Sequence, residues 1–271
     1  MTLPAYDEAG QGDVVVLLLH GIGGGRAVWG PEGSGTLQSL AAAGFRALAL
    51  DFPGYGGSAA MGPPDLDAMV QAVAALIIHA GARHTVLLGH SIGGMVAQAL
   101  ASRADAPPID ALVLACTSAA FGKPDGEWQA RFVAERLAPL DAGLGMAGMA
   151  ERLVPSLLAP GAPERARLAA VAVMSRVPEA TYRSALVAIA GFDRREALPS
   201  LAMPVLCLSG EHDRTAPPEV MQRMAARIPR GEHVDLPGAG HLANLDQPRA
   251  FDAAVVDFLH RHFETPSRRP R

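Results

Sequence analysis

The sequence predicts an α/β protein: a mostly parallel, doubly wound sheet with a helical insertion between two of its strands. Three observations predict it. Continuous apolar runs such as Val14–Leu19 recur along the chain, as expected of strands buried on both faces. Segments with apolar residues at helical spacing alternate with them, which makes βαβ units. Between residues 118 and 199 the alternation stops, and helix-like pieces follow one another without a strand pattern.

Taken in order, Val14–Leu19 is followed by a glycine-rich loop and a helical stretch at 37–43, closed by Gly44. Residues 45–50 (FRALAL) read as the next strand. Residues 67–80 carry Met69, Val70, Val73, Leu76 and Ile77 at helical spacing, ended by Gly81. A short strand at 85–88 runs through a tight turn into a helix over Ile92–Ala101. Strands are expected at 109–115, 204–209 and Gly231–Leu236, and helices at 217–227 and 248–263. Within the insertion, helices are expected at 127–137, 147–158, 164–173 and 179–189. Pro124, Pro139, Pro155, Pro160, Pro163 and Pro178 separate or kink them. The domain reading is a core of 1–117 and 200–271, with residues 118–199 as a lid or cap.

Composition narrows the function. A chain of 271 residues, 49% hydrophobic and 18% charged, buries a large core and is not disordered. A net charge of −4 argues against an electrostatic nucleic-acid footprint, and the basic run Arg268, Arg269 and Arg271 is confined to the tail. Cys116 and Cys207 sit in apolar runs and read as small buried residues, not as a disulfide framework or a metal site. No leader pattern opens the chain and no apolar run is long enough to span a bilayer. The expectation is a cytoplasmic, soluble protein with no membrane or nucleic-acid partner.

The strongest chemical signal is Gly89-His90-Ser91-Ile92-Gly93, followed by Gly94. It fits G-x-S-x-G, and its placement between strand and helix gives the pattern its weight. A strand-to-helix elbow holds the central serine in a strained conformation, and flanking glycines remove side chains that would clash. The helix N-terminus then offers backbone N–H groups to developing negative charge. The bland alternative is a glycine-rich turn with a capping serine.

A serine hydroxyl needs an adjacent base, and the base an orienting acid. In this architecture both follow the serine, acid before base. Asp213 lies just after the strand at 204–209, with Glu211 as a rival acid. His241 lies just after Gly231–Leu236, with His212 and His233 as rival bases. His79, His84, His260 and His262 have no acid at a suitable place in the sequence. Asp213 has a second reading as a cap for the helix after Pro217.

The loop His20-Gly21-Ile22-Gly23-Gly24-Gly25 is expected to supply a second oxyanion donor. The predicted oxyanion hole is the backbone N–H of Ile22 with that of Ile92, and Gly23 stands behind Ile22. Removing one such donor typically costs about 3–4 kcal/mol of transition-state stabilisation. The loop does not fit a phosphate site, because no Lys-Ser or Lys-Thr follows it.

Taken together, LLLHGIGGG (17–25), DFPGYGGS (51–58), GHSIGG (89–94), GEHDRTAP (210–217) and GAGHLANLDQP (238–248) resemble the α/β-hydrolase family. The look is nearest to small carboxylesterases and 3-oxoadipate enol-lactonases. The resemblance implies Ser91 as nucleophile, Asp213 as acid, His241 as general base and 118–199 as a cap. It implies Asp51 as a structural loop residue. It also implies no cofactor, no metal and a small-molecule ester or lactone as substrate. The family usually has two antiparallel strands before the first strong strand. Here only about a dozen residues precede it, so a trimmed edge is expected.

A serine at position 91 disfavours the dehalogenase and epoxide-hydrolase branches, which use aspartate. Two alternatives stay open: a C–C bond hydrolase of the meta-cleavage type on the same triad, and a slow-turnover ligand receptor of the same fold. In the insertion, Arg131, Arg136, Arg152, Arg165, Arg176 and Arg183 read as solvated faces, one of which could bind a substrate carboxylate.

Overall fold

The computed structural model describes residues 3–60, 65–122 and 126–263. Pro124 and the basic tail Arg268, Arg269 and Arg271 lie outside the described residues. Seven strands form one sheet: β1 (Tyr6–Ala9), β2 (Val14–Leu19), β3 (Arg46–Leu50), β4 (His84–His90), β5 (Ala111–Ala115), β6 (Val205–Gly210) and β7 (Gly231–Leu236). Their order is β1-β3-β2-β4-β5-β6-β7. All pairs are parallel except β1 with β3. The order reverses between β2 and β4, the place where loops at the strand ends part and leave room for a ligand.

Every residue of β2, β5 and β6 is buried, so these strands are covered on both faces as their unbroken apolar runs predict. The covering helices of the sheet are α1 (Thr36–Ala42), α2 (Leu66–Ala80), α3 (Ile92–Ala101), α8 (Pro218–Ala226) and α10 (Pro248–His262), with a short α9 (Ala243–Asp246). Asp65 caps α2, its carboxylate accepting from Ala68 N at 2.7 Å, and Gly81 ends it in the left-handed conformation.

Strand β1 is absent from the sequence reading. Its residues are Tyr-Asp-Glu-Ala, and only the ladder with β3, from Tyr6↔Leu50 to Ala9↔Ala47, makes them a strand. The edge is thus trimmed to one antiparallel strand among the described residues, instead of two.

Between β5 and β6 lie α4 (Glu127–Asp141), α5 (Gly145–Leu157), α6 (Glu164–Met174) and α7 (Glu179–Ala190). The two ends of this stretch are stapled: Phe121 N donates to Phe192 O at 2.9 Å and Arg194 N to Ala119 O at 2.7 Å. Pro139 and Pro155 lie inside α4 and α5, not between helices. Both stand in the last turn, where each removes the one i→i−4 bond its N–H would have made.

The β3 exit loop is held by Asp51, which is 2% exposed. Its carboxylate accepts from Arg26 N at 2.7 Å, Arg26 Nη1 at 2.6 Å and Gly57 N at 2.9 Å. It therefore joins the β2 and β3 loops, the structural role its motif implies. Asp51→Ala leaves the amides of Arg26 and Gly57 unpaired while the Arg26 guanidinium keeps Asp7 at 3.0 Å, and is expected to lower unfolding free energy by about 2–4 kcal/mol in urea titrations. A loss below about 1 kcal/mol contradicts this role.

Candidate active site

Ser91 joins β4 to α3 with φ 53° and ψ −119°, a region that costs energy for any residue with a Cβ. The turn is clamped. Ser91 N donates to Ala115 O at 3.0 Å, and Thr117 Oγ1 donates to Ser91 O at 2.7 Å. Gly89 and Gly93 are required by crowding. A Cβ on Gly89 would stand 2.4 Å from Gly93 O, and one on Gly93 would stand 2.2 Å from Leu19 O.

The loops after β6 and β7 bring Asp213 and His241 to the serine. His241 Nδ1 donates to Asp213 Oδ2 at 2.9 Å, and Ser91 Oγ lies 3.1 Å from His241 Nε2. Asp213 is 3% exposed. Burial raises its pKa, but the charge and hydrogen bond of His241 and the N–H groups of Ala216 and Thr215 bring it net below the usual value. An ionised acceptor on Nδ1 leaves Nε2 as the lone-pair nitrogen, free to take the serine proton.

The helix-cap reading of Asp213 is not borne out: α8 begins behind Pro217 with no side-chain cap bond, and the carboxylate bonds the loop before it. Its Oδ1 accepts from Thr215 N at 2.7 Å and Ala216 N at 3.0 Å, while Oδ2 serves His241. Glu211 instead accepts from Gly238 N at 2.9 Å, and His212 lies 3.8 Å from Glu211. His233 bonds Ser209 Oγ at 2.9 Å. His84 and His262 do find acids, Asp110 at 3.2 Å and Glu232 at 3.4 Å. That corrects the expectation drawn from their sequence neighbours, since these acids come from other elements.

Ile22 and Ile92 both line the cavity in front of Ser91. Among the described residues no hydrogen bond engages the N–H of Ile22. Ile92 is the first residue of α3, so its N–H has no partner within the helix. Two residues that the sequence reading left without a role secure these loops. His20 donates from Nδ1 to Gly21 O at 2.8 Å and accepts from Phe52 N at 3.1 Å. His90 donates from Nε2 to His241 O at 2.7 Å, tying the elbow to the base loop. Burial pushes His20 down to about 4, and burial with the nearby His241 pushes His90 down to about 3. Both are neutral imidazoles with fixed tautomers.

A cavity of about 130 Å³ opens on Ser91 and His241. The insertion lines it with mostly apolar groups, including Phe121, Phe132, Leu153, Val173 and Met174. Asn244 also lines it, 2% exposed, and its Oδ1 has no hydrogen-bond partner. Position 244 lies in the 238–248 stretch that carries the resemblance, but nothing in the sequence gives it a role of its own. Only burial beside the cavity marks it. Cys116 and Cys207 are free and buried, as expected, and burial raises both thiols, Cys207 to about 12. Among the described residues, no group of three His, Cys, Asp or Glu could hold a metal ion, and no helix is long and apolar enough to cross a membrane.

A mostly parallel sheet whose strand order reverses between β2 and β4, and a serine on the β4–α3 turn facing an acid and a histidine, is the architecture of a hydrolase class. Residues 16–254 match the alpha/beta hydrolase family, and the chain belongs to that family. It is 29% identical to a pimeloyl-[acyl-carrier protein] methyl ester esterase of Yersinia enterocolitica, over 93% of this chain and 96% of the relative. Among solved structures it is similar to a thermophilic esterase from Thermogutta terrifontis, solved with malate bound (31% identity, TM-score 0.79, 96% of this chain and 94% of that one). It is also similar to the enol-lactonase of Burkholderia xenovorans LB400 (26% identity, TM-score 0.81, 94% and 96% covered).

The buried imidazoles make a prediction with a definite sign. The unfolded chain protonates histidine below about pH 6.5. The folded chain holds His20 and His90 neutral down to about 4 and about 3. The unfolded state therefore binds more protons in that window, and these two residues make stability fall as pH drops through it. In a histidine NMR titration their ring signals should stay at neutral positions from pH 8 to about 5. Titration of either near the ordinary value contradicts the assignment.

Proposed function

We propose that this protein is a serine hydrolase that cleaves a small carboxylic ester or lactone through an acyl-enzyme on Ser91. The observation that carries the reading is the unbroken hydrogen-bonded chain from Asp213 through His241 to Ser91 at the wall of an apolar cavity. Esterases and an enol-lactonase among the relatives support it.

In this reading Ser91 Oγ attacks the carbonyl carbon as its proton passes to His241 Nε2. Asp213 holds the imidazole tautomer and stabilises the imidazolium without taking the proton itself. The oxyanion is met by the N–H groups of Ile22 and Ile92. The imidazolium returns its proton to the departing alkoxide, which in a lactone stays tethered. Water, deprotonated by the same His241, then attacks the acyl carbon and releases Ser91. The cycle runs on protein groups and water alone.

Residues 118–199 act as the cap in this proposal. Their apolar side chains over Ser91 keep bulk water from the acyl-enzyme and shape the acyl site. The buried Asn244, with its orphan oxygen, fits a site completed by a polar group of the substrate.

The test is hydrolysis of p-nitrophenyl esters of short to long acyl chains. Turnover should peak at short chains. Ser91→Ala should lower kcat by roughly 10⁵-fold or more, and Asp213→Asn by roughly 10³- to 10⁴-fold, because the amide leaves the tautomer unset. Absence of turnover on every chain length, with the protein folded, overturns the ester reading. Retained turnover in Ser91→Ala overturns the nucleophile.

A further inference from the structure

We propose that the cavity contains a carboxylate-binding subsite formed by Arg136 and Tyr182, and that the substrate carries a carboxylate. The inference rests on the ester-hydrolase reading and names the substrate class of the same site.

Of the nine arginines at 118–199, Arg136 alone lines the cavity, and no Asp or Glu lines it. Among the described residues its guanidinium has no acid within ion-pair distance. Neighbouring arginines do: Arg131 pairs with Glu135, Arg167 with Glu151 and Glu164, and Arg183 with Asp141 and Glu179. Arg136 is instead laid over the Phe132 ring, 5.1 Å from its centroid. Phe132 meets Phe121 edge-on at 5.1 Å, and both rings line the cavity. Stacking of this kind fixes the plane of the guanidinium and leaves its N–H edge for a planar anion.

Tyr182 is the second half. It is 1% exposed and lines the same cavity from α7, which packs on the α4 helix that carries Arg136. Its hydroxyl has no hydrogen-bond partner among the described residues. Tyr55, equally buried, bonds Ile22 O at 3.1 Å. The ring is buried but the phenol oxygen still opens on the cavity, where it offers an unengaged O–H to a ligand. Burial raises the Tyr182 pKa and the charge of Arg136 opposes that rise only in part, so the hydroxyl stays a neutral donor. A cation and a neutral O–H donor, in apolar surroundings without an acceptor of their own, suit one carboxylate: the fork takes its charge and the phenol one lone pair. The low dielectric strengthens both contacts.

The test compares two ester pairs. In one, a p-nitrophenyl ester with a terminal carboxylate on the acyl chain is set against its methyl-capped, neutral equivalent. In the other, the carboxylate sits on the phenol. The first pair places the anion on the acyl side and the second on the leaving side. In the wild type, the anionic member of one pair should be favoured in kcat/KM by about tenfold or more. Arg136→Gln should lower that anionic-to-neutral ratio by roughly 10- to 100-fold, mainly through KM, and Tyr182→Phe by a few-fold. Arg136→Lys, which keeps the charge without the fork, should fall between. If Arg136→Gln does not fold, Tyr182→Phe, lacking one oxygen, carries the comparison.

No preference in either pair, or equal losses on anionic and neutral esters, overturns the subsite while leaving the hydrolase reading in place. Calorimetry of Ser91→Ala with glutarate separates the opposite case. If no ester is turned over but glutarate binds and Arg136→Gln abolishes that binding, the subsite stands and the hydrolase reading falls.

Discussion

The site depends on one steric constraint, the absence of room around the turn from β4 to α3. With Gly93 packed on the Leu19 carbonyl and Gly89 on the Gly93 carbonyl, β2, β4 and α3 approach as closely as backbones allow. The turn has no relaxed alternative, so Ser91 stays at positive φ and its hydroxyl stands clear of the sheet. Strain of this kind persists only where the surroundings over-determine it. Here the amide of Ser91 is held by β5 and its carbonyl by Thr117.

The loops that meet the serine are tied to it, and to one another, by side chains that have no part in the proposed proton transfer. His90 reaches the carbonyl of His241, a link across 151 residues. Asp246 accepts from Gly240 N at 2.7 Å and Ala159 N at 3.1 Å, which joins the base loop to the insertion. His20 and Asp51 lock the β2 and β3 loops. The placement of the site loops thus rests on neutral imidazoles and buried carboxylates, each bonded to backbone. Such supports are rigid because leaving any of them unpaired costs about 1–3 kcal/mol.

Among the described residues, several polar groups at the cavity wall have no hydrogen-bond partner: the oxygen of Asn244, the hydroxyl of Tyr182, the guanidinium of Arg136 and the N–H groups of Ile22 and Ile92. Such groups at the cavity wall make a surface that gains by closing on a polar ligand. The insertion supplies both the apolar walls and the Arg136–Tyr182 pair.

The sequence by itself determined what is decided within a few residues. Apolar runs marked the buried strands β2, β5 and β6, and glycine spacing marked the elbow. The positions of Asp213 and His241 at strand ends marked them ahead of their rivals. Other features were decided by the tertiary structure alone. Tyr6–Ala9 has no strand pattern and becomes one only against β3. Glu211 and Asp213 are near neighbours in sequence, and only the path of the β7 loop sends one to Gly238 and the other to His241. The nine arginines of the insertion look alike as a sequence, and the packing of α4 on α7 beside the cavity singles out Arg136. Backbone conformation is governed by local sterics and solvation, which a short window of residues records. Which side chains share a cavity is governed by contacts between segments 150 residues apart and more, and only the assembled fold specifies those.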